Sequence, residues 1–185
     1  MAWRSEPEEP DAGSAGDRRG EGGEAERCLA AALRHLGRRA LTAEELSRRL
    51  ARRGFSEAAV SAALSHLAAR GWLDDREYAR QYVAAHRQGW ALQGPRRLAA
   101  ELRRRGVPPD IVAEVVGDLG SAELEAQAEA LARSRLARMG GADRRTAWRR
   151  LSGLLARRGF EPEVVASVLR RVLAAPDPDA SDEPL

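Results

Sequence analysis

Leucine recurs four and eight residues ahead of three glycines: Leu46 and Leu50 before Gly54, Leu98 and Leu102 before Gly106, Leu151 and Leu155 before Gly159. A spacing of four puts two side chains on one face of a helix, so each pair predicts a helix with one apolar side. Glycine just past the last apolar position closes such a helix in the left-handed conformation, because it has no Cβ to clash. An apolar residue follows each time (Phe55, Val107, Phe160), as the hydrophobic contact of a Schellman-type end requires. A second helix then starts at once. Ser56 is the expected N-cap in the first copy, Pro109 and Pro162 suit a first turn, and Glu57, Asp110 and Glu163 place negative charge near the positive end of the dipole. The apolar stripes of these second helices are Val60, Leu64 and Leu67, then Val112, Val116 and Leu119, then Val165, Leu169 and Val172.

The three glycines lie 52 and 53 residues apart, an internal period that governs the rest of the reading. The corner occupies only part of that period, so another helix is expected ahead of each. Candidates run over 24–38, 75–89 and 121–139, with stripes Cys28, Leu29, Leu33 and Leu36, then Tyr78, Ala79, Tyr82 and Val83, then Leu124, Ala128, Leu131 and Leu136. The predicted fold class is all-α: three tandem three-helix repeats, 24–73, 74–120 and 121–173, stacked into an elongated, curved array. A unit this small buries a core poorly unless its neighbours cover it.

Charge changes the picture at the ends and in the middle. The 185 residues hold 31 basic side chains, all arginine, and 28 acidic ones, a net charge of +3. Residues 1–23 and 174–185 hold 3 of the basic and 10 of the acidic side chains, leaving 28 against 18 in the body, or +10. Both acidic, Pro- and Gly-rich tails are expected to be disordered, since they offer little apolar surface against the entropy of ordering. A basic body is attracted to polyanions, and guanidinium forks suit phosphates and carboxylates alike.

Several chemistries lack the residues they need. Cys28 is the single cysteine, so one chain forms neither an internal disulfide nor a cysteine-rich zinc cluster, and burial as a small hydrophobe is its expected role. His35, His66 and His86 fall in three different predicted helices without partners at metal spacing. No phosphate-cradling glycine loop, nucleophile elbow or metalloprotease helix is present, and no catalytic residue, cofactor or metal is expected. Apolar stretches are broken by Arg or Glu well short of the roughly 18 to 20 residues of a membrane span. The first residues are acidic where a signal peptide needs a basic and then an apolar region, so the expected address is cytoplasmic.

Asp74 and Asp75 precede a predicted helix and read as caps, since consecutive residues there do not converge on one ligand. Trp72, Trp90 and Trp148 stand near predicted helix ends, where a core or seam role is expected. The arginine pairs Arg52 and Arg53, Arg104 and Arg105, and Arg157 and Arg158 complement a helix dipole. Together with Arg48, Arg96, Arg97 and Arg149, and with Arg49, Arg103, Arg144, Arg145 and Arg150, they outnumber what capping needs, and an arginine-rich partner surface is expected.

"GWLDDREYARQYVAAHRQG" followed by "GPRRLAAELRRRGV" resembles the RecX family of regulators of the RecA recombinase. Leu73, Asp74, Asp75, Tyr78 and Ala79, then Gly94, Arg97, Leu98, Leu102 and Gly106 carry the resemblance; it extends by repeat pattern over 121–173 and leaves both tails outside. It implies a non-enzymatic, monomeric cytoplasmic protein whose partner is the RecA filament, with single-stranded DNA as a second, direct contact. Binding in the filament groove would limit extension, ATP hydrolysis, strand exchange and coprotease activity in DNA repair, recombination and the SOS response. Leu73, Asp74, Asp75, Tyr78, Gly54, Gly106 and Gly159 would then be structural. The rival class is a helix-turn-helix-like DNA-binding transcriptional regulator; against it, the helices after each corner are poor in the Asn, Gln and Arg that read base edges.

Overall fold

The structure is a computed structural model that describes residues 13–87 and 92–174, with side chains from Gly22 onward. The expected N-terminal tail up to residue 12, Trp90, and the expected C-terminal tail from residue 175 lie outside the described residues. Among these, nine helices and no strand occur: α1 (Gly13–Leu36), α2 (Ala43–Ala51), α3 (Glu57–Ala69), α4 (Asp75–Ala85), α5 (Pro95–Arg104), α6 (Pro109–Gly117), α7 (Ser121–Leu136), α8 (Arg144–Arg158) and α9 (Pro162–Ala174). The fold class is all-α. Helix α1 starts at Gly13, within the stretch expected to be a disordered tail. Extending an existing helix fixes one residue for one new hydrogen bond, so α1 runs on beyond the apolar stripe that anchors it.

The chain divides after Asp74 into two compact units. The first holds α1 to α3 around Cys28, Ala31, Ala32, Leu46, Leu50, Val60, Ala63 and Leu67. Small side chains set the α1 contact there, and Leu33, expected in the stripe, is 40% exposed because Ala31 and Ala32 take the inward face. Thr42, the one buried polar residue among the described residues, accepts a hydrogen bond from Glu45 N–H at 3.0 Å and starts α2. Glu24 on α1 accepts from Ser56 N–H (2.9 Å) and Oγ–H (2.7 Å), while Ser56 Oγ caps α3 by accepting from Ala59 N–H.

The second unit contains two bundles. Helices α4 to α6 enclose Ala79, Val83, Leu98, Leu102, Val107, Val112 and Val115; α7 to α9 enclose Ala128, Ala132, Leu151, Leu155, Phe160, Val168 and Leu169. Asp74 immediately precedes α4 and Asp75 is its first residue.

All three corners close as the sequence predicts. Gly54, Gly106 and Gly159 have φ of 85°, 83° and 89°. Phe55, Val107 and Phe160 donate their N–H groups back to the carbonyls of Leu50, Leu102 and Leu155 at 3.4, 3.1 and 3.2 Å, the six-to-one bond of the Schellman end. A fourth end of this kind, at Gly71 (φ 68°), sends Trp72 N–H to Leu67 carbonyl at 3.0 Å. Trp72 is 52% exposed and Trp148 37% exposed, which corrects the expected core role. The Trp72 ring leaves the bundle and lies under the Arg70 guanidinium at 5.4 Å instead.

Candidate functional site

Two helix faces of the third bundle build an arginine-rich surface in the second unit. On and just beyond α7, Gln127, Ala130, Leu131, Ser134, Arg135 and Arg138 recur at spacings of three and four, hence on one side. On α8, Arg150, Leu154, Arg157 and Arg158 do the same, with Arg149 beside them. The adjoining face of α8 carries buried Ala147, Leu151 and Leu155, which anchors the helix against its bundle. With Arg87, Leu92 and Met139 these residues line an open groove of about 1100 Å³. Leu92, Leu131, Met139 and Leu154 supply apolar lining, and seven guanidiniums surround it.

No carboxylate lines the groove among the described residues. Arg87 has an acidic neighbour outside the lining, Glu123 at 2.9 Å, and Arg158 Nη1–H donates to Leu92 carbonyl at 2.9 Å. Arg135, Arg138, Arg149, Arg150 and Arg157 form no ion pair with any described residue. The helix dipole accounts for arginines in the last turns of α7 and α8, but Arg149 and Arg150 stand mid-helix and gain nothing from it.

The second bundle meets the third at a glycine seam. Gly94 N–H donates to Arg158 carbonyl at 2.7 Å and Arg96 N–H to Gly159 carbonyl at 3.0 Å, so the corner after α8 satisfies donors at the start of α5. A Cβ on Gly94 would lie 2.6 Å from the Gly159 carbonyl carbon and oxygen, and one on Gly159 would lie 2.5 Å from Arg97 N and Cβ. Arg97 Nη1–H reaches Arg157 carbonyl at 3.2 Å, and Arg96 lies 3.9 Å from Glu161.

The arginines expected to form one surface therefore have different surroundings. In the first unit Arg48 pairs with Glu44 at 2.7 Å, and Arg52 and Arg53 follow α2. Arg53 joins Arg34, Arg38 and Arg49 around His35; burial first, then these cations, hold the imidazole below its ordinary pKa. Arg104 pairs with Glu101 at 2.7 Å. Arg105 is spent on packing: it donates to Tyr78 Oη at 2.9 Å and covers the Tyr82 ring at 4.9 Å. Arg96 and Arg97 serve the seam, while Arg149, Arg157 and Arg158 come together in the groove. Arg87, Arg135 and Arg138 were not singled out by sequence; extending the helical spacing along the polar face of α7 finds the last two. Among the described residues no group of His, Cys, Asp or Glu is placed to hold a metal ion, and no helix is long and apolar enough to cross a membrane.

Three consecutive three-helix domains with glycine-closed corners define an all-α helical-repeat protein. The family models agree domain by domain: the first RecX three-helix domain matches residues 28–67, the second 74–116 and the third 123–169. The regulatory protein RecX of Mycobacterium avium (strain 104) is 40% identical over 151 residues, covering 81% of this chain and 87% of that protein. The RecX of Mycobacterium tuberculosis (strain ATCC 25618 / H37Rv) is 38% identical over 154 residues, covering 81% and 88%. The crystal structure of RecX from Lactobacillus salivarius shares the fold, with a TM-score of 0.76 at 18% identity over 83% of this chain and 99% of that one. The chain belongs to the RecX family of regulatory proteins.

Proposed function

We propose that this protein regulates RecA by binding in the groove of the RecA filament on single-stranded DNA, mainly as an inhibitor. The observation that carries the reading is the succession of all three RecX domains along 28–169, at 40% identity to a relative named as a regulatory protein. Tandem repeats contacting successive protomers would limit filament extension, and with it ATP hydrolysis, strand exchange and coprotease activity. The arginine groove supports the reading, since a nucleoprotein filament offers both phosphates and acidic side chains. The protein acts without chemistry of its own, as a cytoplasmic monomer.

RecA's single-stranded-DNA-dependent ATP hydrolysis, followed as this protein is titrated in, tests the proposal. Inhibition well below one protein per recombinase is expected. Undiminished hydrolysis, together with tight binding to one duplex sequence at matched salt, would favour the DNA-binding transcriptional regulator instead.

A further inference from the structure

Several carboxylates on the described surface each neutralise an arginine. Glu114 pairs with Arg76 and Arg80, Glu101 with Arg104, Glu129 with Arg133 and Arg171, and Glu125 with Arg171. In the groove between α7 and α8, by contrast, several arginines without such a pair are gathered on two adjoining faces. Arg135, Arg138, Arg149, Arg150 and Arg157 converge there with no described acidic partner, over an apolar floor. Folding brings these like charges together at a cost, and a bound anion would remove it.

We propose that this groove binds the sugar-phosphate backbone of a single nucleic-acid strand, without reading its sequence. Its volume of about 1100 Å³ exceeds the roughly 300 to 1,000 Å³ of a pocket for a drug-sized molecule, so the site suits an oligomer rather than a lone anion. Five uncompensated guanidiniums on two adjoining faces call for a ligand with a charge on every monomer. A phosphodiester chain carries one at every nucleotide as a constant feature of its backbone, whatever its sequence. The floor of Leu92, Leu131, Met139 and Leu154 selects between strands. A duplex turns its bases inward and offers the floor only charged, hydrated backbone, while an unpaired strand also presents base faces with apolar area to cover. The inference deepens the proposed regulation of RecA, whose filament contains such a strand, but its test needs no recombinase.

Fluorescence anisotropy of labelled oligothymidylate, about 16 nucleotides long, reports binding to the full chain. For single strands the logarithm of affinity falls with the logarithm of salt by about 0.7 per phosphate contact. The combined variant Arg138→Gln, Arg149→Gln, Arg150→Gln is expected to flatten that slope by about 2 and to weaken binding roughly a hundredfold at about 50 mM salt. A charge-matched control, Arg76→Gln, Arg104→Gln, Arg133→Gln, is expected to stay within about threefold of the native chain, because each of these arginines already has a carboxylate partner. Far-UV circular dichroism confirms that both retain their helices, and a second groove variant with lysine at the same three positions should recover much of the slope.

Equal losses in groove variant and control would overturn the proposal in favour of net charge alone. Poly-L-glutamate displacing the strand at equal charge concentration would make the groove a seat for acidic protein, and tighter binding to duplex than to oligothymidylate would refute the role of the floor. Absence of strand binding alongside intact inhibition of RecA would sink this inference and leave the proposed function standing; strand binding without inhibition would do the reverse.

Discussion

Gly54 and Gly159 close their helices with nearly the same backbone, φ of 85° and 89°, and the same six-to-one hydrogen bond, yet they meet different surroundings. A Cβ on Gly54 would point into open space, whereas one on Gly159 would collide with Arg97 at the start of α5. Glycine is needed at the first corner for its backbone alone. At the third it is needed for its backbone and for contact, since that corner is also half of the seam with Gly94. One sequence motif thus does two jobs, and the second job is written more than 60 residues away from the first.

Breaking what the corners share should cost most. Leu50 and Leu155 are both fully buried, so Leu50→Ala and Leu155→Ala should each destabilise their own unit by about 3 to 4 kcal/mol. Amide exchange within each unit is the readout, because a chain of two compact units need not unfold in one step. A much smaller loss at Leu155 would mean that the third bundle is held mainly by its neighbour.

Next in size comes the contrast itself. Gly54→Ala should cost about 1 to 2 kcal/mol, the strain of a left-handed residue with a Cβ. Gly159→Ala adds crowding against Arg97, so the total should approach about 3 kcal/mol, with faster exchange of the Gly94 and Arg96 amides that bond across the seam. Equal costs at the two corners would erase the distinction.

Gly94→Ala sharpens it. With φ of −79° Gly94 carries no left-handed strain, so its expected loss of about 2 kcal/mol would come only from contact with the Gly159–Phe160 backbone.

The smallest effect concerns the start of α3 in the first unit. Hydrogen bonds from Ser56 N–H and Oγ–H hold the Glu24 carboxyl below its ordinary value of 4.5. A depressed folded pKa means that the ionised form stabilises the fold. This contribution is complete above the unfolded value and disappears as pH falls through the lowered folded value. Acid unfolding of the first unit should therefore begin at higher pH and lose part of its slope in Glu24→Gln, while the second unit keeps its profile; identical profiles would show that the bond between α1 and α3 contributes nothing.

Periodicity made much of this fold legible. Leu46, Leu50, Leu98, Leu102, Leu151 and Leu155 are all buried, the three corner glycines are left-handed, and Ser56 caps where it was expected to. These features are local, and one helical turn or one cap decides them. What escaped the sequence depends on distant chain segments. Leu33 is exposed because alanines win the inward face of α1, and Trp72 because its ring finds Arg70 rather than a core. Gly94 belongs to the run that resembles RecX, but nothing in that run says that Gly159 packs on it. The candidate site was half legible: an excess of arginine is visible in composition, while its division into paired, packed and unpaired groups depends on which glutamate or tyrosine the fold brings near. Arg105, expected at a partner surface, is instead occupied by Tyr78 and Tyr82.

Regulation of RecA is the central claim, and co-sedimentation with preformed RecA filaments tests it most directly. With a slowly hydrolysed ATP analogue holding RecA on single-stranded DNA, the chain should pellet with the filament and stay in solution with RecA alone at the same salt. If it stays in solution with the filament as well, it does not bind the filament and the account fails.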